Sequence, residues 1–269
     1  MDKLLDKLER EYIGKYDCQL RHILQEYSIS EIANHIIQWL SIEWKESDNW
    51  NYAEITTIAR DFYIGSNLTE QEKDAYYREL KQQGFFNVLS TNLYSEDFAK
   101  CSWTIYTFGK FSNSENARYL ETAYEEIYAE NNPILSQRCL NELNCLGSKK
   151  VDEYLSQLNN KNDIISKLTL LMYWEGHGES KATDRLLSDK KLIKFISPHN
   201  EKVSKNEVLF DRLNNFENHI FKLHIEYPKI KMTKSYFTEI AKNYFESFEV
   251  EKDSNTENAH REILKSLSK

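Results

Sequence analysis

One segment of this chain, residues 132–147, carries the full pattern of a capped amphipathic helix. Asn132 can cap its start, and Pro133 suits the first helical turn, where its missing N–H costs no hydrogen bond. Gly147 supplies the left-handed residue with which helices commonly end. Between them, apolar side chains fall at helical spacing on one face: Leu135, Cys139, Leu143 and Leu146. The segment predicts a helix whose apolar stripe needs a neighbour to cover it.

The same pattern recurs on both sides of this segment. Shifted by 38 residues toward the N-terminus, its positions pair with Ser95, Cys101, Ile105, Phe108 and Gly109. Shifted by 30 residues toward the C-terminus, they pair with Asp163, Ile165, Thr169, Tyr173 and His177, with Gly176 and Gly178 alongside. A partner helix precedes each of the last two copies. Helical hairpins that repeat every ~30–45 residues predict an α-solenoid.

The unit resembles a HEAT repeat, whose second helix reads roughly Asp-Pro-x-Val-Arg-x-x-Ala-x-x-x-Leu-x-x-Leu-Gly. The matching or nearly matching positions are Asn132, Pro133, Leu135, Cys139, Leu143, Leu146 and Gly147. Ser136 stands where the family has arginine, so that buried polar contact is not expected. The resemblance covers residues 95–178 and implies an all-α fold. The fold expected from this resemblance is a right-handed α-solenoid of helical hairpins with HEAT-like repeats and irregular capping helices. An irregular helical bundle is the alternative architecture.

Composition supports helices joined by short turns. The chain has 269 residues but only 7 glycines and 3 prolines, and no segment reads as a long linker. We expect one domain over residues 1–269, with N-terminal helices at 1–94, HEAT-like repeats at 95–178 and C-terminal helices at 179–269. Capping boxes mark several helix starts: Ser28 with Glu31, Thr69 with Glu72, Ser112 with Glu115, and Ser204 with Glu207. Terminal helices are expected over residues 2–27 and 257–267.

Charge and cysteine content narrow the function classes. The net charge is −8 and the pI is near 5.5, which argues against a general nucleic-acid binder. The N-terminus has no apolar run typical of a signal peptide, and no window is long enough to span a membrane. The four cysteines form no Cys-x-x-Cys pair, so reduced, buried thiols are expected. A cytoplasmic location is the prediction.

Catalytic and metal-binding patterns are weak. The sequence has no phosphate-binding glycine loop, no Gly-x-Ser-x-Gly elbow and no His-Glu-x-x-His helix. His177 lies between two glycines at a predicted helix end, where an imidazole favours the helix dipole. Glu31 and His35 are one turn apart, but two ligands do not make a metal site. We therefore predict no catalytic residue, no metal and no cofactor.

The candidate binding residues lie on the second helices of the predicted hairpins and on one acidic helix. In HEAT-like stacks the second helices line an inner groove, so we select Trp103, Tyr106, Arg138, Asn141, Asn144 and Trp174 as groove candidates. For the aromatic residues, packing in the core is the competing interpretation. Glu121, Glu125 and Glu126 lie close together on one helix, with Arg118 as their only nearby compensation in sequence. They are expected either to form a solvated face or to attract a basic partner.

The leading functional hypothesis is a non-enzymatic protein-binding scaffold with a basic protein partner. Its specific form is a bacterial immunity or inhibitor protein that neutralises a basic toxin or nuclease. The alternative is a HEAT-like DNA-repair enzyme that excises alkylated bases, in which Trp103, Trp174 and Glu175 would supply aromatic groups and a carboxylate. A strongly positive groove would favour the enzyme, whereas a neutral or acidic one would favour protein binding.

Overall fold

A computed structural model of the chain describes residues 23–41, 49–65, 68–111, 113–198, 206–227 and 233–248. All regular secondary structure in these ranges is helical, which confirms the prediction of an all-α protein. Consecutive helices pack against one another along much of the chain. Residues 1–123 with 142–148 form one compact unit, and residues 124–141 with 149–269 form a second. Compactness does not by itself separate domains, so the single-domain organisation stays a prediction.

The first unit contains α1 to α7 and the end of α9. The helices are α1 (Ile23–Glu26), α2 (Ile29–Ser41), α3 (Asn49–Gly65), α4 (Glu70–Gln82), α5 (Phe85–Asn92), α6 (Phe98–Lys110) and α7 (Ser114–Ala123). Helix α3 packs against α6, and α2 packs against α3, α4 and α5. An aromatic cluster fills the space between α4, α5 and α6: Tyr77, Phe85, Phe86, Phe108 and Phe111. This cluster forms the core against which α6 and α7 pack.

The second unit begins with a π-helical segment and continues to the last described helix. Its elements are the π segment (Tyr124–Tyr128), α8 (Ala129–Asn131), the start of α9 (Pro133–Cys145), α10 (Val151–Asn160), α11 (Ile164–Gly176), α12 (Ser180–Leu187), α13 (Lys190–Ile196), α14 (Asn206–Glu226) and α15 (Lys234–Phe248). Helix α11 packs against α10 and α12, and α15 packs against α13 and α14. Phe216 contacts Phe237, Tyr244 and Phe245 in the core between α14 and α15.

Two predicted capping boxes are confirmed. The backbone N–H of Ser28 donates to the Glu31 carboxylate at 2.7 Å, and the N–H of Glu31 donates to Ser28 Oγ at 3.2 Å. Thr69 and Glu72 make the same reciprocal pair at 2.7 and 3.3 Å. Each box satisfies two of the amide groups that a helix start leaves without an intrahelical partner. The hydrogen bonds from Ser28 also hold the pKa of Glu31 below its usual value.

Helices α9 and α11 end in the same way. At Gly147 the backbone is left-handed, the N–H of Ser148 donates to the Leu143 carbonyl, and the N–H of Gly147 donates to the Asn144 carbonyl. Gly178 is also left-handed: its N–H donates to the Glu175 carbonyl, and the N–H of Glu179 donates to the Trp174 carbonyl. Both ends are Schellman motifs, in which glycine avoids the steric penalty of a side chain.

The third predicted helix end is wrong. Gly109 was paired with Gly147, but it lies inside α6, which continues to Lys110 and gives Gly109 no left-handed backbone. Gly109 is buried, and its missing side chain leaves room for Glu142. A glycine in a helix interior costs ~1 kcal/mol relative to alanine, so it usually has a packing reason. Here the reason is the close approach of that glutamate.

Most of the predicted apolar stripe of the repeat is buried, but Leu146 at its end is only half-buried. Cys101, Cys139 and Thr169, which occupy equivalent positions in the three copies, are 3%, 0% and 1% exposed. The next position is equally buried in each copy, at Ile105, Leu143 and Tyr173. The expectation that the thiols are buried fails at Cys145, which is exposed near the end of α9.

Several sequence predictions fall outside the described residues. They are most of the helix at 2–27, the cap at Ser112, the capping box of Ser204 with Glu207, the helix at 257–267, and Cys18. The helix after Ser112 is present, and there Asn113 Oδ1 accepts the N–H of Glu115 at 2.9 Å. That helix passes into a π-helical turn at Tyr124, which the sequence pattern did not indicate.

Candidate functional site

Helix α6 places three of its polar and aromatic side chains on one face. Trp103, Tyr106 and Lys110 are spaced by three and four residues, so they lie on successive turns of that face. The rings of Trp103 and Tyr106 meet edge to face with 6.3 Å between their centroids. Tyr106 is 38% exposed and, with Ile64 and Tyr94, is one of three exposed large apolar side chains among the described residues of this unit. Trp103 is half-buried beside it.

Two cations lie over the Tyr106 ring. The guanidinium carbon of Arg60, from α3, is 4.8 Å from the ring centroid, and Lys110 Nζ is 4.7 Å from it. Both distances fall within the range of cation–π attraction, worth ~0.5–1 kcal/mol at exposed sites. The two contacts hold an exposed aromatic ring in one orientation. A ring that is fixed before binding loses little conformational entropy when a partner covers it.

Each cation also has a carboxylate close by. Arg60 Nε donates to Asp61 Oδ1 at 2.5 Å, and Lys110 Nζ is 3.6 Å from Glu142 Oε2. The Glu142 side chain is only 10% exposed and packs against Gly109. Counted formally, the two cations and two carboxylates cancel. The site is therefore a neutral, rigid aromatic surface and has no excess charge to attract an anion.

The acidic candidates make specific contacts within their own units. In the first unit, Ser148 Oγ donates to the Glu121 carboxylate at 2.6 Å. In the second, Glu125 accepts from Lys150 Nζ at 2.9 Å and from the Tyr154 hydroxyl at 2.5 Å. The hydrogen bond from Lys150, and then that from Tyr154, hold the pKa of Glu125 below its usual value. The expectation that Arg118 is the only nearby compensation is therefore wrong.

The side chains of Glu121, Glu125 and Glu126 differ in solvent exposure. Glu125 and Glu126 are exposed within the π segment, whereas Glu121 is half-buried at the end of α7. Tyr124 and Tyr128, at the two ends of the π segment, are buried at 2% and 1% exposure. The segment therefore turns its tyrosines inward and its two neighbouring carboxylates to solvent.

Three of the groove candidates lie in the second unit: Arg138, Asn141 and Trp174. Arg138 Nη2 is 2.7 Å from Glu217 Oε1, and its guanidinium carbon lies 4.0 Å from the Phe221 ring centroid, so it ties α9 to α14. Asn141 is half-buried, and its amide nitrogen lies 4.0 Å from where a Cβ on Gly176 would be. Trp174, on α11, is half-buried against Tyr173, with ring centroids 5.0 Å apart. Asn144 belongs to the first unit and is exposed.

The sequence interpretation missed the residues that surround Tyr106. Arg60, Lys110 and Glu142 come from three different helices, and no spacing rule links them. Gly109 was the one available signal, since a glycine in the interior of an amphipathic helix often marks a close approach. From the sequence alone, Gly109 is instead interpreted as the end of a helix.

The weaker catalytic and metal-binding candidates, His177 and Glu31, have structural roles. His177 follows the last residue of α11, where its Nδ1 lies 2.8 Å from the Tyr173 carbonyl and its ring stacks on Tyr173. Glu31 acts in its capping box. Within the described ranges, no group of three or more His, Cys, Asp or Glu side chains is placed to hold a metal ion. The helices of the described residues include none that is both long and apolar enough to cross a membrane.

The comparisons with known proteins do not assign a family. No family model matches the chain, and neither a curated protein nor a solved structure matches it.

Proposed function

We propose that this protein is a non-enzymatic scaffold that binds another protein. The observation that carries the proposal is Tyr106, an exposed ring held by Arg60 and Lys110 beside Trp103. Tyrosine, tryptophan and arginine dominate the energetic centres of protein interfaces. A rigid aromatic group at a neutral surface suits burial against a protein better than binding of a free ion.

The fold we propose for this scaffold is a right-handed α-solenoid with HEAT-like repeats. Its support is the matching Schellman ends at Gly147 and Gly178 and the burial of the equivalent positions Cys101, Cys139 and Thr169. Stacked hairpins of this kind expose a long curved surface that binds partners. The second helices would line that surface with the groove candidates.

The partner we propose is basic. The chain carries a net charge of −8, and Glu125 and Glu126 are exposed side by side. A specific form of this proposal is a bacterial immunity or inhibitor protein that neutralises a basic toxin or nuclease, and the product of an adjacent gene is the first partner to test. Surface carboxylates of this kind accelerate encounter with a basic partner more than they tighten the final complex.

The test is binding kinetics of the partner on immobilised protein at low and high salt. Reversal of Glu121, Glu125 and Glu126 to lysine should lower the association rate and flatten its salt dependence. A matched reversal at Glu179, Asp184 and Glu239, which are exposed elsewhere, changes the net charge equally and serves as the control. Equal effects of the two triple variants would refute the acidic-patch hypothesis.

The aromatic anchor is tested by dissociation. Tyr106→Ala should mainly raise the dissociation rate, because a buried anchor slows separation of the complex. Ile64→Ala removes another exposed apolar side chain of the same unit and should change the rate little. An unchanged dissociation rate for Tyr106→Ala would contradict the role of this ring.

The second candidate function is excision of alkylated bases from DNA. The observation that favours it is the buried carboxylate of Glu142 next to Lys110, in the same cluster as Trp103 and Tyr106. Against it stands the charge balance of that cluster, because DNA binding requires several cations that neutralise phosphates. Incubation with alkylated duplex DNA distinguishes the two functions. Base release that is lost in Glu142→Gln would support the enzyme and refute the scaffold.

A further inference from the structure

A second concave surface lies in the first unit, bordered by α4, α5 and α7. We call it the α5–α7 groove. It has a volume of about 550 Å³ and is lined by Lys81, Ser90, Leu93, Tyr94, Glu115, Arg118, Tyr119 and Thr122. Volumes of ~300–1,000 Å³ are typical of sites that bind small molecules. None of these residues takes part in the Tyr106 cluster, so this groove is independent of the function proposed above.

Tyrosines form the apolar part of the groove. One face of the Tyr119 ring stacks on Phe108, with 5.2 Å between centroids and 25° between ring planes, which fixes its orientation. Tyr94 is 46% exposed at the end of α5, whereas Leu93 beside it is buried. Tyrosine rings offer large contact area with few rotatable bonds, so they bind apolar groups at low entropic cost. The groove therefore offers an aromatic surface to a bulky apolar side chain.

Most polar groups of the groove are already engaged. Lys81 Nζ pairs with the Glu115 carboxylate, the Ser90 hydroxyl donates to the Asn87 carbonyl, and the Thr122 hydroxyl donates to the Arg118 carbonyl. Arg118 itself is exposed, and the described part of the chain provides no hydrogen bond or ion pair to its guanidinium. The lining carries two positive charges, on Lys81 and Arg118, and one negative charge, on Glu115, so its formal net charge is +1.

The planar guanidinium of arginine matches a carboxylate with two parallel hydrogen bonds. Because Ser90 and Thr122 have used their hydroxyl protons, their oxygens act as acceptors for N–H groups of a bound chain. A carboxylate next to a bulky apolar group, on a backbone with N–H groups to donate, therefore fits this lining. A nucleic acid does not fit, because a single uncompensated cation cannot neutralise a row of phosphates.

We propose that the α5–α7 groove binds an extended peptide segment of a partner protein in which a glutamate or aspartate lies next to an aromatic residue. Arg118 binds the acidic side chain, and Tyr94 and Tyr119 bind the aromatic one. A peptide fits better than a small free carboxylate because the groove is open to solvent. A small ligand would stay half solvated there, whereas a peptide continues over the rim.

The probe is an immobilised array of octapeptides, each with one glutamate and one phenylalanine placed one to three residues apart in glycine and serine. Every peptide has a partner in which glutamine replaces glutamate. The full-length protein is applied to the array, and dissociation constants of the peptides retained are measured by fluorescence anisotropy. We expect retained peptides to bind about fivefold more tightly than their glutamine partners, since charge-assisted hydrogen bonds are roughly twice as strong as neutral ones.

Substitutions in the groove test whether the peptides bind there. Arg118→Gln should abolish the preference for glutamate over glutamine, whereas Tyr94→Ala should weaken both peptides by about the same factor. Arg185→Gln removes an exposed arginine of the second unit and is the matched control, which should behave as wild type. Both groove positions are exposed, so the thermal unfolding midpoint of each variant should stay near that of wild type.

Three results would overturn the proposal. The first is retention of no peptide of the array. The second is a preference for glutamate that survives Arg118→Gln. The third is saturable binding of free phenylacetate with no gain from a peptide backbone, which would assign the groove to a small carboxylate instead.

Discussion

Gly109→Ala tests the contact that holds Glu142 beside Lys110. A methyl group at Gly109 would collide with Glu142 Oε2, and would lie 2.5 Å from its Cδ and 2.6 Å from its Cβ. Rotation of the glutamate can move the carboxylate away, but its Cβ is fixed to the backbone of α9. Relief of the last contact therefore requires one helix to shift relative to the other.

The expected cost follows from two opposing terms. Alanine in place of a helical glycine gains about 1 kcal/mol, and overpacking of a buried contact costs about 1–3 kcal/mol. Because the Cβ–Cβ approach is far below ordinary van der Waals contact, we take the upper end of that range. The net expectation is a loss of about 2 kcal/mol in the free energy of unfolding.

Urea unfolding, followed by tryptophan fluorescence and circular dichroism, measures this loss. Gly176→Ala is the matched control, because a Cβ there meets its nearest atoms at 3.9 and 4.0 Å. It should stabilise the protein by about 0.4–1 kcal/mol. Glu142→Gly removes the obstructing side chain, so in that background Gly109→Ala should become stabilising as well. Equal destabilisation in both backgrounds would refute the steric reasoning.

Three further predictions concern stability. Leu143→Ala should cost about 2–5 kcal/mol in urea unfolding, since this fully buried side chain leaves a cavity; a wild-type midpoint would contradict its place in the core. Burial lowers the pKa of His224 from 6.5 to about 3. As the pH falls, the unfolded chain therefore binds a proton at this histidine before the folded protein does. The free energy of unfolding should fall by ~1.4 kcal/mol per pH unit below pH 6.5. Unfolding at pH 7 and 5 should show this slope in wild type and His177→Gln but not in His224→Leu. Thr69→Ala should cost about 1 kcal/mol by thermal melting, with Ser114→Ala, which lies outside the capping box, as the control.

The helix boundaries that were predicted correctly, at Ser28, Thr69 and Gly147, have local signals. The hydrogen bonds that start α2 and α4 join residues three apart, as at Ser28 with Glu31 and Thr69 with Glu72. The left-handed end at Gly147 likewise depends on the five residues before it. A short stretch of sequence contains all the groups that decide such an end, so its chemistry can be read directly.

The candidate site was predictable only in part. The spacing of Trp103 and Tyr106 on a helix was visible, but their exposure depends on which helices cover α6. Arg60 and Glu142 reach Tyr106 and Lys110 from distant segments, and long-range pairing leaves no periodic signal in a single sequence. The acidic helix shows the same limit, because Lys150, which precedes α10, pairs with Glu125 from a different part of the sequence.

The matching ends at Gly147 and Gly178 have a consequence for how such a chain can change its length. Residues 148–178 begin just after one left-handed glycine joint and finish on another with the same hydrogen bonds. A duplicated copy of that stretch, spliced in after Gly178, would enter and leave through backbone conformations that the chain already uses. Duplication or loss of residues 148–178 therefore needs no new turn, which gives such a chain a simple route to a change of length.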